Sequence, residues 1–144
     1  PPPNQLTVNE YARGVGLAPH VDTHSAFAGA LLSLTTSGHT VMEFRRDKRR
    51  KALLLPRYVS TSFRQTDPIS CASILPLVRR SLLVLEGEAR YGWQHYIPSR
   101  KHDYIEYKIV ERPERRLSFT FRSLRNGPCT CSFPEYCDSQ NTDT

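Results

Sequence analysis

What most limits the fold of this 144-residue chain is the spacing of its apolar residues. They recur with a period of two and never, over a long window, with a period of 3.6. "RLSFTFR" (116–122), within "RLSFTFRSL", alternates without a break, and "QLTVNEY" (5–11) and "YIEYKIVE" (104–111) do nearly as well. Side chains two apart in a strand share a face, so each segment offers a sheet one apolar and one polar side. "ALLSLTT" and "TVMEFRR" flank "SGH" (37–39) and predict a hairpin. "KALLLP" (51–56) and "RSLLVLEGEARYGW" (80–93) add two apolar strands, and a short strand is expected at "HVD" (20–22). Many short strands separated by turn residues predict a mainly β fold, an antiparallel barrel or double-sheet jelly roll. Phe119 and Phe121 are expected to face its core. No internal repeat is present.

The stretch 57–79 shows no period and holds an isolated Cys71. Its flanks could join as a compact hairpin. It is therefore expected to be an insertion at a hairpin tip, where extra length costs little loop entropy, or the product of a retained intron.

The totals narrow the classes. One domain's worth of chain with 38% hydrophobic residues can bury a modest core. No apolar run approaches the roughly 18 residues of a membrane span, so no membrane partner is expected. The start, "PPPNQLTVNEY", has neither an initiator Met nor the pattern of a signal peptide, and the chain is expected to begin in mid-protein. A net charge of +6 and a pI near 9.4 favour anionic partners, nucleic acid first. Three of the four cysteines, Cys129, Cys131 and Cys137, fall within nine residues. Without a secretory signal such clustering suggests metal rather than disulfides.

"HVDTHSAF" (20–27) carries the sharpest chemistry. His20 and Asp22 point to one side of a strand, and His-x-Asp with one distant histidine is the ligand set of a non-haem Fe(II) facial triad. His39, His95 and His102 could each supply the third ligand. His39 lies in a turn and His102 among charges, so His95, after an apolar strand and a glycine-containing turn, is the choice. Arg116 and Arg122, six apart on one strand face, suit a dicarboxylate, because a planar guanidinium meets a carboxylate bidentately. Arg122 is expected to anchor its distal end.

Taken together, "NQLTVNEYARGVGLAPHVDTHSAF", "RSLLVLEGEARYGWQH" and "RRLSFTFR" resemble the AlkB family of Fe(II)/2-oxoglutarate dioxygenases in order and spacing. The resemblance implies a double-stranded β-helix, truncated on its N-terminal side, with residues 1–144 forming the C-terminal part of the catalytic domain. It implies iron on His20, Asp22 and His95, and 2-oxoglutarate on Asn9, Tyr11, Arg116 and Arg122, with dioxygen as the other cosubstrate. The tail "FRSLRNGPCTCSFPEYCDSQ" is similar to the branch that hydroxylates the transfer RNA wobble uridine 5-methoxycarbonylmethyluridine to its (S)-hydroxy form. That likeness implies a structural Zn(II) on His24, Cys129, Cys131 and Cys137, in a tail at about 127–138. It also implies tRNA as substrate, a tRNA methyltransferase as partner or further domain, and a cytoplasmic or nuclear setting. Oxidative demethylation of nucleic acid or protein, or a truncated inactive metal-binding fragment, are the alternatives. The family carries Gly after the distal histidine; Tyr96 here is expected to put bulk beside the site.

Overall fold

The computed structural model describes residues 2–46 and 73–140. In chain order it places β1 (Gln5–Ala12), β2 (Leu17–His20), β3 (Phe27–Ser37), β4 (Thr40–Arg46), β5 (Ser73–Leu77) and β6 (Ser81–Leu85). A short helix α1 (Gly87–Tyr91) follows, then β7 (Trp93–Ile97), β8 (His102–Ile105), β9 (Lys108–Glu111) and β10 (Arg115–Leu124). Two antiparallel four-stranded sheets result, β1-β10-β3-β6 and β2-β7-β4-β5, with β8-β9 as a separate hairpin. The expected mainly β fold of jelly-roll type is what forms. None of the described helices is long and apolar enough to cross a membrane.

The core lies between the sheets. Met42, Phe44, Leu77, Trp93 and Ile97 come from the second sheet and meet Leu31 and Leu85 of the first. The first sheet is turned the other way. Leu6, Phe121, Leu32 and Val84 pair in one row across its four strands, and Val8, Phe119, Leu34 and Leu82 in the next. Leu6, Val8, Leu82 and Val84 of those rows are exposed, and the other four are half-buried. The polar partners along the same strands, among them Asn9, Ser118, Thr120 and Ser33, face inward on a cavity. Phe119 and Phe121 thus lie on the outer side of the sheet, not in the core as expected.

Several predicted elements are rearranged. The hairpin expected over 30–46 does not form: β3 pairs with β10 and β6, while β4 pairs with β5 and β7. The chain changes sheets at Gly38, whose φ of +74° and 2.7 Å approach to the Arg115 carbonyl from an added Cβ leave room for glycine only. The strand expected over 80–93 breaks at α1. "YIEYKIVE" is a hairpin, turning at Glu106 and Tyr107 with φ of 48° and 66°. Within the stretch read as an insertion, "SILPL" is strand β5; it pairs with β4 and buries Leu77 in the core. Residues 57–72 of that stretch, Cys71 included, and "KALLLP" lie outside the described residues.

Candidate active site

β2 carries Pro19, which has no amide to give the ladder, and its pairing is irregular there. Leu17 pairs with Ile97 and His20 with His95, so β2 spends one residue more than β7 over that interval, a bulge. Such a bulge re-aims a side chain, and it brings the His20 and His95 rings to 4.3 Å. The strand ends at His20 rather than continuing through Asp22. Asp22 follows in irregular backbone, its Oδ2 3.5 Å from His95 Nε2. One ligand atom from each of His20, Asp22 and His95 lies within 4.8 Å of the others. Of the other two candidates, His39 bonds to the Glu111 carbonyl and His102 is exposed, both away from this cluster.

The three fit a divalent transition metal. His20 Nδ1 is 2.8 Å from the Ala18 carbonyl, so Nδ1–H donates there and Nε2 keeps its lone pair for the site. Burial pushes the His95 pKa down to about 4, with the neighbouring His20 adding to the effect. Its ring is neutral near pH 7, the form that ligates.

The cavity beside the triad holds about 90 Å³ and is lined by Asn9, Tyr11, Arg116 and Arg122 together with all three triad residues. Asn9 Nδ2 donates to Thr120 Oγ1. The two arginines sit six residues apart on β10, so their Cα atoms are about 20 Å apart and serve opposite ends of this space. Arg122 Nε donates to Asp22 Oδ1 at 2.9 Å, with Gln5 and Thr7 also accepting from its guanidinium. It therefore belongs to the metal end, which corrects its expected place at the distal one. Arg116 is only 4% exposed and donates to Thr35 Oγ1 at 2.8 Å, and its guanidinium lies 5.4 Å from the Tyr11 ring. Among the described residues no carboxylate pairs with it. A buried, unpaired guanidinium is costly; an incoming carboxylate would relieve that cost. Tyr96 does not crowd this space: its hydroxyl donates to Glu43 at 2.6 Å and Arg45 lies against its ring, on the outer side of the second sheet.

The tail forms a second cluster. His24 is buried, and its Nδ1 lies 3.5 Å from Cys131 Sγ. Ligand atoms of His24, Cys131 and Cys137 lie within 4.8 Å of one another. Cys129 is outside that set but buried close by, near enough to influence how both other thiols titrate. His24 Nε2–H donates to the Tyr91 carbonyl at 3.1 Å, leaving Nδ1 as the ligating nitrogen. Burial raises the Cys137 pKa, but hydrogen bonds from Ser139 and Gln140 outweigh it and bring it down to about 7, where thiolate is readily available. Burial pushes the Cys131 thiol the other way, up to about 11, so Cys137 is the readier thiolate of the two, and the Cys/His donor set itself is what suits zinc.

Sequence reasoning missed Arg90, because "GEARY" was read as strand. The residue is buried, with NH1 2.6 Å from the Asp22 carbonyl. It also missed Arg125, whose Nε donates to the His24 carbonyl at 2.9 Å, and the buried Asp103, paired with Arg112 at 2.7 Å.

Comparison with known proteins agrees with this geometry. The model of the 2OG-Fe(II) oxygenase superfamily matches residues 1–122. The chain is 49% identical over 138 residues to the "Alkylated DNA repair protein ALKBH8 homolog" of Arabidopsis thaliana, covering 95% of this chain and 39% of that protein. It is 36% identical to the "tRNA (carboxymethyluridine(34)-5-O)-methyltransferase alkbh8" of Xenopus tropicalis, over 97% of this chain and 21% of that one. Identity to the "Alpha-ketoglutarate-dependent dioxygenase alkB homolog 4" of Homo sapiens is 32%, over 78% and 37% of the two chains. The chain thus spans well under half the length of these relatives, and over that span it belongs to the 2OG-Fe(II) oxygenase superfamily and, within it, to the AlkB family.

Proposed function

We propose that this chain carries the reaction centre of an Fe(II)/2-oxoglutarate-dependent dioxygenase that hydroxylates 5-methoxycarbonylmethyluridine at the wobble position of tRNA. The observation that carries the enzyme class is the single cavity with a triad at one end and an unpaired buried arginine at the other. His20, Asp22 and His95 would hold iron. Bound there, iron supplies the activation of dioxygen, with 2-oxoglutarate decarboxylated to succinate and one oxygen atom passed to a substrate C–H bond.

The protein's own groups have separable tasks. Arg116, with Tyr11 against it, receives the distal carboxylate of 2-oxoglutarate, and Asn9 lines the path between the two ends. Arg122 takes one carboxylate oxygen of Asp22, Oδ1, and so fixes the other, Oδ2, as the one that faces the triad. The hydrophobic wall of Leu31, Met42, Leu83, Leu85 and Ile97 keeps bulk water from the cosubstrate. His24, Cys131 and Cys137, with Cys129 beside them, hold structural zinc.

The tRNA assignment rests on the Xenopus relative, whose name specifies a position-34 uridine, and on the +6 charge. Such a substrate places the protein in the cytoplasm or nucleus and makes a tRNA methyltransferase activity, in partner or parent chain, its natural companion. A second reading is favoured by the Arabidopsis relative, named for repair of alkylated DNA. There the hydroxylated carbon is bonded to nitrogen, and the carbinol collapses to release formaldehyde. On the wobble uridine the carbon is bonded to carbon and the hydroxyl stays.

Mass analysis of nucleosides from tRNA incubated with protein, Fe(II) and 2-oxoglutarate separates the two. Gain of one oxygen on the wobble uridine is expected; formaldehyde release from an N-methylated base would replace this reading with demethylation. Asp22→Ala removes the triad's carboxylate and is expected to abolish succinate formation. Metal uptake without succinate from the unaltered chain would mark it as an inactive fragment.

A further inference from the structure

Residues 20–24 carry ligands of both clusters, and the main chain between them leaves its strand at His20. Irregular backbone of this kind has carbonyls with no ladder partner. Asp22 directs its carbonyl at Arg90 NH1, at 2.6 Å, and Thr23, whose carbonyl also accepts the Phe27 N–H at 3.2 Å, receives Arg90 NH2 at 3.4 Å. Arg90 is 1% exposed, comes from α1, and stacks its guanidinium 4.7 Å from the Tyr91 ring. The next carbonyl, of His24, is taken by Arg125, which also reaches that of Phe27. Two guanidiniums thus divide the segment. Arg90 holds the peptide that sets the Asp22 side chain, and Arg125 holds the peptide beyond it, on the tail side.

The carboxylate of Asp22 is fixed from its other end by Arg122. A side chain pinned at its tip still swings if its own peptide turns, and a displacement of about 1 Å is enough to spoil a metal site. A lysine at position 90 could reach one of the two carbonyls but could not span both, because a lone ammonium lacks the planar fork.

We propose that Arg90 is a positioning residue for Asp22: by gripping the carbonyls of Asp22 and Thr23 it sets the carboxylate's aim at the metal, a role Arg125 does not share. The inference rests on the reading of His20, Asp22 and His95 as the iron ligands.

Cobalt(II), a visible stand-in for iron, tests it by titration of the full chain first loaded with one equivalent of zinc, so that the tail thiolates are occupied and the cobalt signal reports the triad, with melting temperature followed in parallel. In Arg90→Met the cobalt dissociation constant is expected to rise at least about tenfold, the worth of one charge-assisted hydrogen bond. In Arg125→Met, which removes comparable bonds one carbonyl further on, it stays within about twofold. Arg90→Lys should fall between wild type and Arg90→Met, with a shifted cobalt absorption band. If Arg90→Met does not fold, Arg90→Lys alone carries the test: unaltered affinity and spectrum overturn the proposal. Equal losses in Arg90→Met and Arg125→Met also overturn it, since both arginines would then be general braces. Asp22→Ala separates the two levels. If it leaves cobalt affinity intact, the triad reading fails and this inference with it; if it abolishes binding while Arg90→Met changes nothing, only the inference fails.

Discussion

The two sheets are built from similar lengths of alternating sequence and use their faces in opposite ways. The β2-β7-β4-β5 sheet turns Met42, Phe44, Leu77, Trp93 and Ile97 inward and Glu43, Arg45 and Tyr96 outward, the usual division for a sheet with one wet side. The β1-β10-β3-β6 sheet turns Asn9, Tyr11, Arg116, Ser118 and Arg122 inward and its two apolar rows outward. Their inner charges differ as well. Asp103, held at the margin of the second sheet by its bond from the Val41 amide, is neutralised by Arg112 and Arg100. Arg116 in the first sheet has no such partner among the described residues. One sheet supplies most of the buried core; the other has given up part of its packing to line a polar cavity.

The largest expected effect breaks the second sheet. Phe44→Ala should cost about 3–5 kcal/mol in denaturant unfolding, from lost burial and the cavity left behind. Leu82→Thr on the exposed row of the first sheet should stay within about 0.5 kcal/mol while raising solubility. Equal costs would abolish the contrast.

Asp103→Ala should be of similar size, about 3–5 kcal/mol, because it strands the Arg112 charge in the interior. A pH series checks the cause. Burial raises the Asp103 pKa, but hydrogen bonds from Arg112 and Arg100 outweigh it, and the net shift is downward. The pair's contribution is therefore whole above the ordinary carboxylate pKa, and it is lost as pH falls through the depressed one. Wild type should lose stability in that acid window and Asp103→Asn should lose less, the remainder coming from groups such as Asp138, whose pKa is also depressed.

Arg116→Leu inverts this pattern. Its removal relieves a buried unpaired charge, so stability should hold or rise, while 2-oxoglutarate affinity falls about 10- to 150-fold. For the same reason 2-oxoglutarate should raise the melting temperature of wild type and leave that of Arg116→Leu nearly still. A large loss of stability in this variant would show the arginine to be structural.

The smallest effect on the comparison comes from the tail, which belongs to neither sheet. Cys131→Ser should lower zinc content and melting temperature together, with Fe(II) affinity less affected. Less than about half an equivalent of zinc in protein purified without added metal, with the three thiols freely titratable, would remove the site.

The contrast also explains what could be read in advance. Alternation identified which residues share a face, so Arg116 with Arg122 was legible as a pair, and the fold class with it; His20 and Asp22 do meet, but through irregular backbone after β2 rather than through the strand that alternation assumed. It did not say which face is inside. Phe119 and Phe121 were assigned inward by hydrophobicity, but here the cavity takes the polar side. Long-range pairing was equally hidden: nothing local marks β3 and β4 as members of different sheets, or "SILPL" as the partner of β4. The turn at Glu106 and Tyr107 lacks the glycine or asparagine that usually signals left-handed backbone. Arg90 was invisible because its role lies in main-chain carbonyls that only the end of β2 leaves open.

The four-residue spacing between His20 and His24 sets a length scale. A chain of four residues spans at most about 14 Å, so ions held by the two clusters can never be far apart. The segment is a built-in ruler for spectroscopy: a paramagnetic ion in one cluster must broaden or relax a magnetic probe in the other, whatever the rest of the molecule does. It is also a shared point of failure, since a single inserted residue between positions 20 and 24 shifts both ligand sets at once.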